Sequence, residues 1–264
     1  MTGALAAVLG RERAIVGFAL VVIVALAWTY LMWFAAGMNA PAISGMDMSA
    51  GSPMAPHFAP WTATHALFIF AMWSAMMIGM MTPSAAPMIL IYTQVARQAT
   101  TLGRTFASAG WFAAGYLLAW TAFAAAATGA QFALERAALL SPAMMGTSRT
   151  FGGAVLIAAG LYQFTPLKSA CLAHCRAPLA FVQQHGGFPS TVLGSLRLGA
   201  LHGLYCIGCC WALMLLLFVV GVMNVLWIAG LMAFVLAEKV MPAGRILSLV
   251  AGAAAIAVGA WMLV

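Results

Sequence analysis

Leu198–Val220 reads LGALHGLYCIGCCWALMLLLFVV, without a single Asp, Glu, Lys or Arg. A helix needs ~20 mostly apolar residues to cross the hydrocarbon core of a bilayer, and this stretch has that length. An isolated segment of this kind must satisfy its own backbone hydrogen bonds, which in lipid means a helix. The rest of the chain agrees. Of 264 residues, 65% are hydrophobic and 6% are charged, against roughly 25% charged residues in soluble domains.

Working outward, six further apolar runs emerge, giving about seven spans: Ala14–Ala36, Thr64–Met81, Phe106–Gly129, Thr150–Phe164, Leu198–Val220, Met223–Glu238 and Ile246–Val264. The fourth and sixth are short. Arg11 and Arg13 precede the first run as in a signal peptide. Its apolar part exceeds the ~7–15 residues of a signal h-region, so it reads as a retained helix. The expected fold is therefore all-α, a polytopic transmembrane helical bundle forming one domain over residues 1–264.

Lys and Arg in short loops set the orientation. With the N-terminus inside and seven crossings, Arg11, Arg13, Arg97, Arg104, Lys168, Arg176, Arg197, Lys239 and Arg245 fall on the cytoplasmic side. Only Arg136 and Arg149 fall outside. The spacing thus predicts N-in and C-out, with an outer loop at about 37–63 and an inner loop at about 165–197. The net charge of +7 is topology. No basic stripe with interleaved aromatics accompanies it, so nucleic acid is excluded as a partner.

Five Cys and 19 Met stand out. The fifth run holds His202, Cys206, Cys209, Cys210 and Met214 at offsets of three and four, which share a helix face. Thiolates and thioethers select Cu(I), and thiolate with imidazole also suits zinc. Cys171, His174 and Cys175 follow Pro166 in the inner loop, where a second thiol pair can meet the first; His185 lies in the same loop. Buried Cys and Met also serve as ordinary packing. Met72, Met76 and Met80 stack on one face of the second run, with Met77 and Met81 beside them and His65 at the outer end. Met38, Met46, Asp47, Met48, Met54 and His57 make the outer loop a thioether-rich segment, suited to an oxidising compartment as Cys is to the reducing cytosol. Glu238-Lys239 closes the sixth run, where the two can pair at the interface and anchor it. Arg176 and Arg197 read as topology signals.

No phosphate-binding loop, nucleophile elbow or H-E-x-x-H is present. With four acidic residues in the chain, paired-carboxylate catalysis is disfavoured, and the chain reads as a binding protein rather than an enzyme.

AMWSAMMIGMMTPS at Ala71–Ser84 is joined by Tyr162-Gln163, Thr165–Lys168, Cys171, Cys175-Arg176, Pro178, Gly203, Cys206, Gly208–Trp211, Met214, Gly221–Asn224, Trp227 and Glu238-Lys239. Over about residues 65–240 this resembles a bacterial family of integral membrane proteins of unknown activity that are predicted to bind metal. The resemblance implies a multi-pass protein of the bacterial inner membrane with metal ligands among these residues.

The leading functional reading is Cu(I) handling by transport, delivery or metallation of a partner, with zinc as a second possible metal. Its partners would be the lipid bilayer, the metal ion, and a periplasmic or cytosolic copper carrier or a membrane enzyme. Two other classes fit the same residues. A membrane thiol–disulfide electron carrier would use Cys206-x-x-Cys209 and a low-pKa thiolate. A non-catalytic structural subunit would use Cys and Met as packing alone.

Overall fold

The computed structural model describes residues 2–39, 61–101, 107–141 and 146–264. Ten helices occur among them: α1 (Thr2–Asn39), α2 (Ala63–Thr101), α3 (Ala109–Arg136), α4 (Arg149–Gln163), α5 (Pro166–Arg176), α6 (Pro178–Gln184), α7 (Val192–Leu215), α8 (Leu217–Val220), α9 (Val225–Val240) and α10 (Gly244–Leu263). Met46, Asp47, Met48, Met54 and His57 lie outside the described residues, as does the side chain of Met38.

Local chemistry sets the breaks. Thr165, just before Pro166, takes an extended conformation (φ −69°, ψ 146°), as a residue preceding proline must. Its hydroxyl accepts from Lys168 N and starts α5. The α4–α5 pair is consequently bent by 63°. Ser148, Thr191 and Asn224 cap α4, α7 and α9 in the same way. The stretch expected as an inner loop therefore holds α5, α6 and the first turn of α7.

α2 runs well past Met81, where the sequence pattern placed its end, with Pro83 and Pro87 inside it. Proline removes a ladder hydrogen bond, but nearby hydroxyls act on the same turns. Thr82 donates to Ile78 O (2.6 Å), and Ser84 and Tyr116 both donate to Met81 O (2.9 and 3.0 Å).

Among the described residues, five helical stretches are long and apolar enough to cross a membrane: Ala14–Gly37, Ala63–Ala99, Ala109–Arg136, Val192–Val220 and Gly244–Leu263. The count rises to six if the bent α4–α5 pair is one span. The expected seven would also take in α9, a helix of 16 residues ending in two buried charged side chains.

Glycines decide which helices touch. A Cβ on Gly199 would lie 2.0 Å from Phe112 O, and one on Gly115 would lie 2.0 Å from Leu196 O, so α3 and α7 meet backbone to backbone. α4 and α10 meet likewise: a Cβ on Gly153 would lie 2.8 Å from Gly259 O, and one on Gly160 2.7 Å from Gly252 O. α5 packs along α7, and α9 reaches α2, α5, α7 and α10. Gly199→Ala is expected to separate α3 from α7 and lower the unfolding free energy in detergent by about 1–3 kcal/mol. Gly17→Ala, where nothing lies within 4 Å, is expected to leave the melting midpoint unchanged. Equal midpoints for the two variants would contradict this packing.

Candidate metal centre

Cys206 lies in the middle of α7, 1% exposed. Its sulfur accepts a hydrogen bond from Lys239 Nζ of α9 at 2.9 Å and lies 3.1 Å from Tyr116 Oη of α3. Lys239 Nζ also donates to Ser84 Oγ of α2 at 2.9 Å. Four helices thus converge on one sulfur.

The other thiols gather around it. Cys209 and Cys210 sit three and four residues on, and both donate to Cys206 O at 3.0 Å. From α5, the half-buried Cys175 interacts with Cys206 and Cys209, and also with the Lys239 ammonium. Cys171 lies against α7, its sulfur 2.7 Å from where a Cβ on Gly208 would sit. It also interacts with Cys209. Only glycine at 208 admits that sulfur. All five cysteines are free thiols, and all five meet at the α5–α7 contact.

Among the described residues, no group of three or more His, Cys, Asp or Glu side chains is placed to hold an ion. Cys209 and Cys210 point their thiols at the Cys206 carbonyl. By donor type the set is soft and thiol-rich, a chemistry that selects soft metal ions.

The charges around the cluster are unusual for so apolar a protein. Lys168 of α5 is fully buried and donates to both carboxylate oxygens of Glu238, at 2.8 and 3.0 Å. Ser248 of α10 donates to Glu238 as well. Glu238 and Lys239 were expected to pair with each other at an interface. They are instead buried and face different partners, because consecutive residues on a helix point about 100° apart. Arg176, read from sequence as a topology signal, donates to Met241 O and Pro242 O (2.8 and 2.9 Å) and ties the end of α5 to the α9–α10 turn. The other acidic side chain described, Glu135, accepts from Trp61 and Gln131. No described carboxylate therefore remains for Lys239, and the facing group is the Cys206 sulfur.

The remaining expected ligands do not join this side-chain hydrogen-bond network. His202 is buried one turn before Cys206, between Phe112, Tyr116 and Phe181, and its Nδ1 has no hydrogen-bond partner. Met214 borders a cavity of about 150 Å³ with Trp73 and Phe218. Met72, Met76, Met77, Met80 and Met81 are all buried, at 0–2% exposure. Of these, Met81 joins the network through its backbone carbonyl. His65 stands against Trp61 at the start of α2, roughly 28 Å along the helix from Ser84 at 1.5 Å per residue. His174 stacks on Tyr205. Lys239, Ser84 and Tyr116 were missed from sequence. An ionisable residue at the end of an apolar run was the available signal for Lys239.

A family model described as "PpoB2: Copper chaperone" matches residues 70–262. The chain belongs to this copper-chaperone family. The matched region takes in Ser84, Tyr116, every cysteine and Lys239, and begins after His65 and the outer-loop Met/His segment. Of the resemblance seen in the sequence, the match supports the relation to copper. No curated protein and no solved structure matches the chain.

Glu238→Gln would leave Lys168 buried without its counter-ion, at an expected loss of about 3–5 kcal/mol of stability. A Lys168→Met/Glu238→Leu double variant is expected to regain most of it in a detergent melt. A double variant as unstable as the single one would show that the pair itself was not what was lost.

Proposed function

We propose that this chain is a membrane-embedded copper chaperone that carries Cu(I) on thiolates of the Cys206 cluster beside Lys239 and passes it to a partner protein. The observation that carries this reading is the Lys239 ammonium, 2.9 Å from Cys206 Sγ, where all five cysteines meet. Two thiolates and one Cu(I) make a complex of charge −1. A fixed ammonium brings the total to zero, which lowers the cost of holding the ion in a low-dielectric interior. Tetrahedral four-thiolate zinc would leave a charge of −2 against the same lysine, so the arrangement favours Cu(I) over zinc.

Cys206, Cys209 and Cys210 would form the deep part of the site. Cys175, half-buried on the short α5, is the thiol from which a partner's ligand could take the ion by exchange. The partner is a cytosolic or periplasmic carrier or a membrane enzyme.

The membrane reading rests on the apolar helices and on what they expose. Phe18, Leu193, Leu226 and Trp261 are 70–84% exposed, which suits lipid contact. Counting α4 and α9 as short crossings gives seven, with the N-terminus inside by the Lys/Arg bias. Lys168, Arg176, Lys239 and Arg245 gather at one end, around the α4–α5 junction and the α9–α10 turn. That end is then cytoplasmic, where thiols stay reduced.

The test is the anaerobic copper content of detergent-purified protein after Cu(I) loading. Wild type should bind copper through sulfur ligands, read by X-ray absorption, and a Cys206/Cys209/Cys210→Ser variant should lose that sulfur-bound copper. Lys239→Met should keep the fold but lose about tenfold or more in affinity. Wild-type protein that takes up no copper and carries a quantifiable reducible disulfide would overturn this reading in favour of the thiol–disulfide electron carrier.

A further inference from the structure

Next to the thiols, on the face of α5 that carries His174, two imidazoles are held in an arrangement that packing does not require. His174 sits in the last turn of α5, and His185 ends α6. Pro178 at the first turn of α6 redirects the chain after a single linking residue. Gly186 and Gly187, at φ +90° and +86°, then turn the chain away from His185, a conformation open to glycine. The two rings share the same aromatic walls. Tyr205 of α7 stacks on His174 (4.3 Å between centres, 10° between planes) and Phe181 lies 4.5 Å from His185.

Each ring is fixed at one nitrogen. His174 Nδ1 lies 2.8 Å from Ala170 O, and His185 Nδ1 lies 2.7 Å from Phe181 O. A carbonyl oxygen can only accept, so each Nδ1 carries the proton and each Nε2 keeps its lone pair. That is the tautomer, fixed by a backbone carbonyl, that metal-binding histidines adopt. The ring centres are 6.3 Å apart. With metal–nitrogen bonds of ~2.0–2.1 Å, a linear nitrogen–metal–nitrogen bridge also separates ring centres by about 6 Å. The tetrahedral ligand set zinc prefers is absent here, since no third His, Cys, Asp or Glu joins the pair among the described residues.

We infer that His174 and His185 form a two-coordinate Cu(I) docking site that feeds the thiol cluster. The inference rests on the copper reading above. His174 stacks on Tyr205, the residue before Cys206 on α7, and Cys175 of the same α5 turn interacts with Cys206 and Cys209, so the two sites share the α5–α7 seam. Transfer is ligand exchange. A copper–nitrogen bond breaks as a copper–sulfur bond to Cys175 forms, the thiol proton leaves to water, and the metal stays Cu(I).

The experiment uses full-length protein in detergent with Cu(I) as the probe. A Cys175/Cys206/Cys209/Cys210→Ser variant should retain about one Cu(I), with X-ray absorption reporting two nitrogen ligands and no sulfur. Adding His174→Gln and His185→Gln should abolish it. No copper in the thiol-depleted variant, with copper still bound by wild type, would overturn the histidine site and leave the thiol cluster standing. No copper in wild type would overturn both. If the thiol-depleted variant does not fold, His174→Gln/His185→Gln in the otherwise native chain decides. With one equivalent of Cu(I) supplied, final copper content should be unchanged while loading from a Cu(I) chelate slows about tenfold or more, and an unchanged loading rate would overturn the proposal.

Discussion

A lysine buried among apolar helices needs a partner for its charge, and this protein buries two. Lys168 uses the one carboxylate within reach. Lys239, the next residue along from that carboxylate, is left with a sulfur, a serine hydroxyl and a tyrosine behind them. The last turn of α9 therefore carries two adjacent charges, one tying α5 and α10 together and the other pressing an ammonium onto α7. The position of the thiols relative to a positive charge follows from that division.

The frame that allows it is made of residues with little or no side chain. The α3–α7 and α4–α10 contacts are glycine on backbone, which brings helix axes close. At Gly208 the missing side chain is replaced by the Cys171 sulfur, so the same device that packs helices elsewhere admits a ligand here. Pro83 loosens α2 next to Ser84, and Pro166 detaches α5 from α4. Each proline lies within a few residues of a group that touches the thiol cluster. Breaks in regular helix and the residues of the site coincide, as is common where backbone groups must be reached by side chains in an apolar medium.

Much of this was legible in the sequence, and for definite reasons. Apolar runs report directly on helices, and the spacing of His202, Cys206, Cys209 and Cys210 reported their common stretch of α7. The convergence of Cys171 and Cys175 with that stretch could be suggested but not located, because it depends on the 63° bend at Pro166. Lys239 was readable as an unusual charge. Its direction was not, since Glu238 beside it offered an obvious but wrong partner. Tyr116 carries no pattern at all, and Ser84 only its place in the Ala71–Ser84 motif; both are polar residues on long apolar helices, and only tertiary contact assigns them to the site. The length of α2 was hidden by Pro83, whose effect is offset by hydroxyls that no periodicity reveals.

Glu238 lies 70 residues after Lys168, and this separation has a temporal meaning. A ribosome adding ~5–20 residues per second leaves the nascent chain with α5 made and α9 missing for roughly 4–14 s. During that interval Lys168 has no carboxylate, and Cys206, made about halfway through it, has no ammonium beside it. α4 waits longer still, because its glycine-lined partner is the final helix. The thiols are thus synthesised before the charge that faces them, and the centre comes into being as a late product of vectorial assembly.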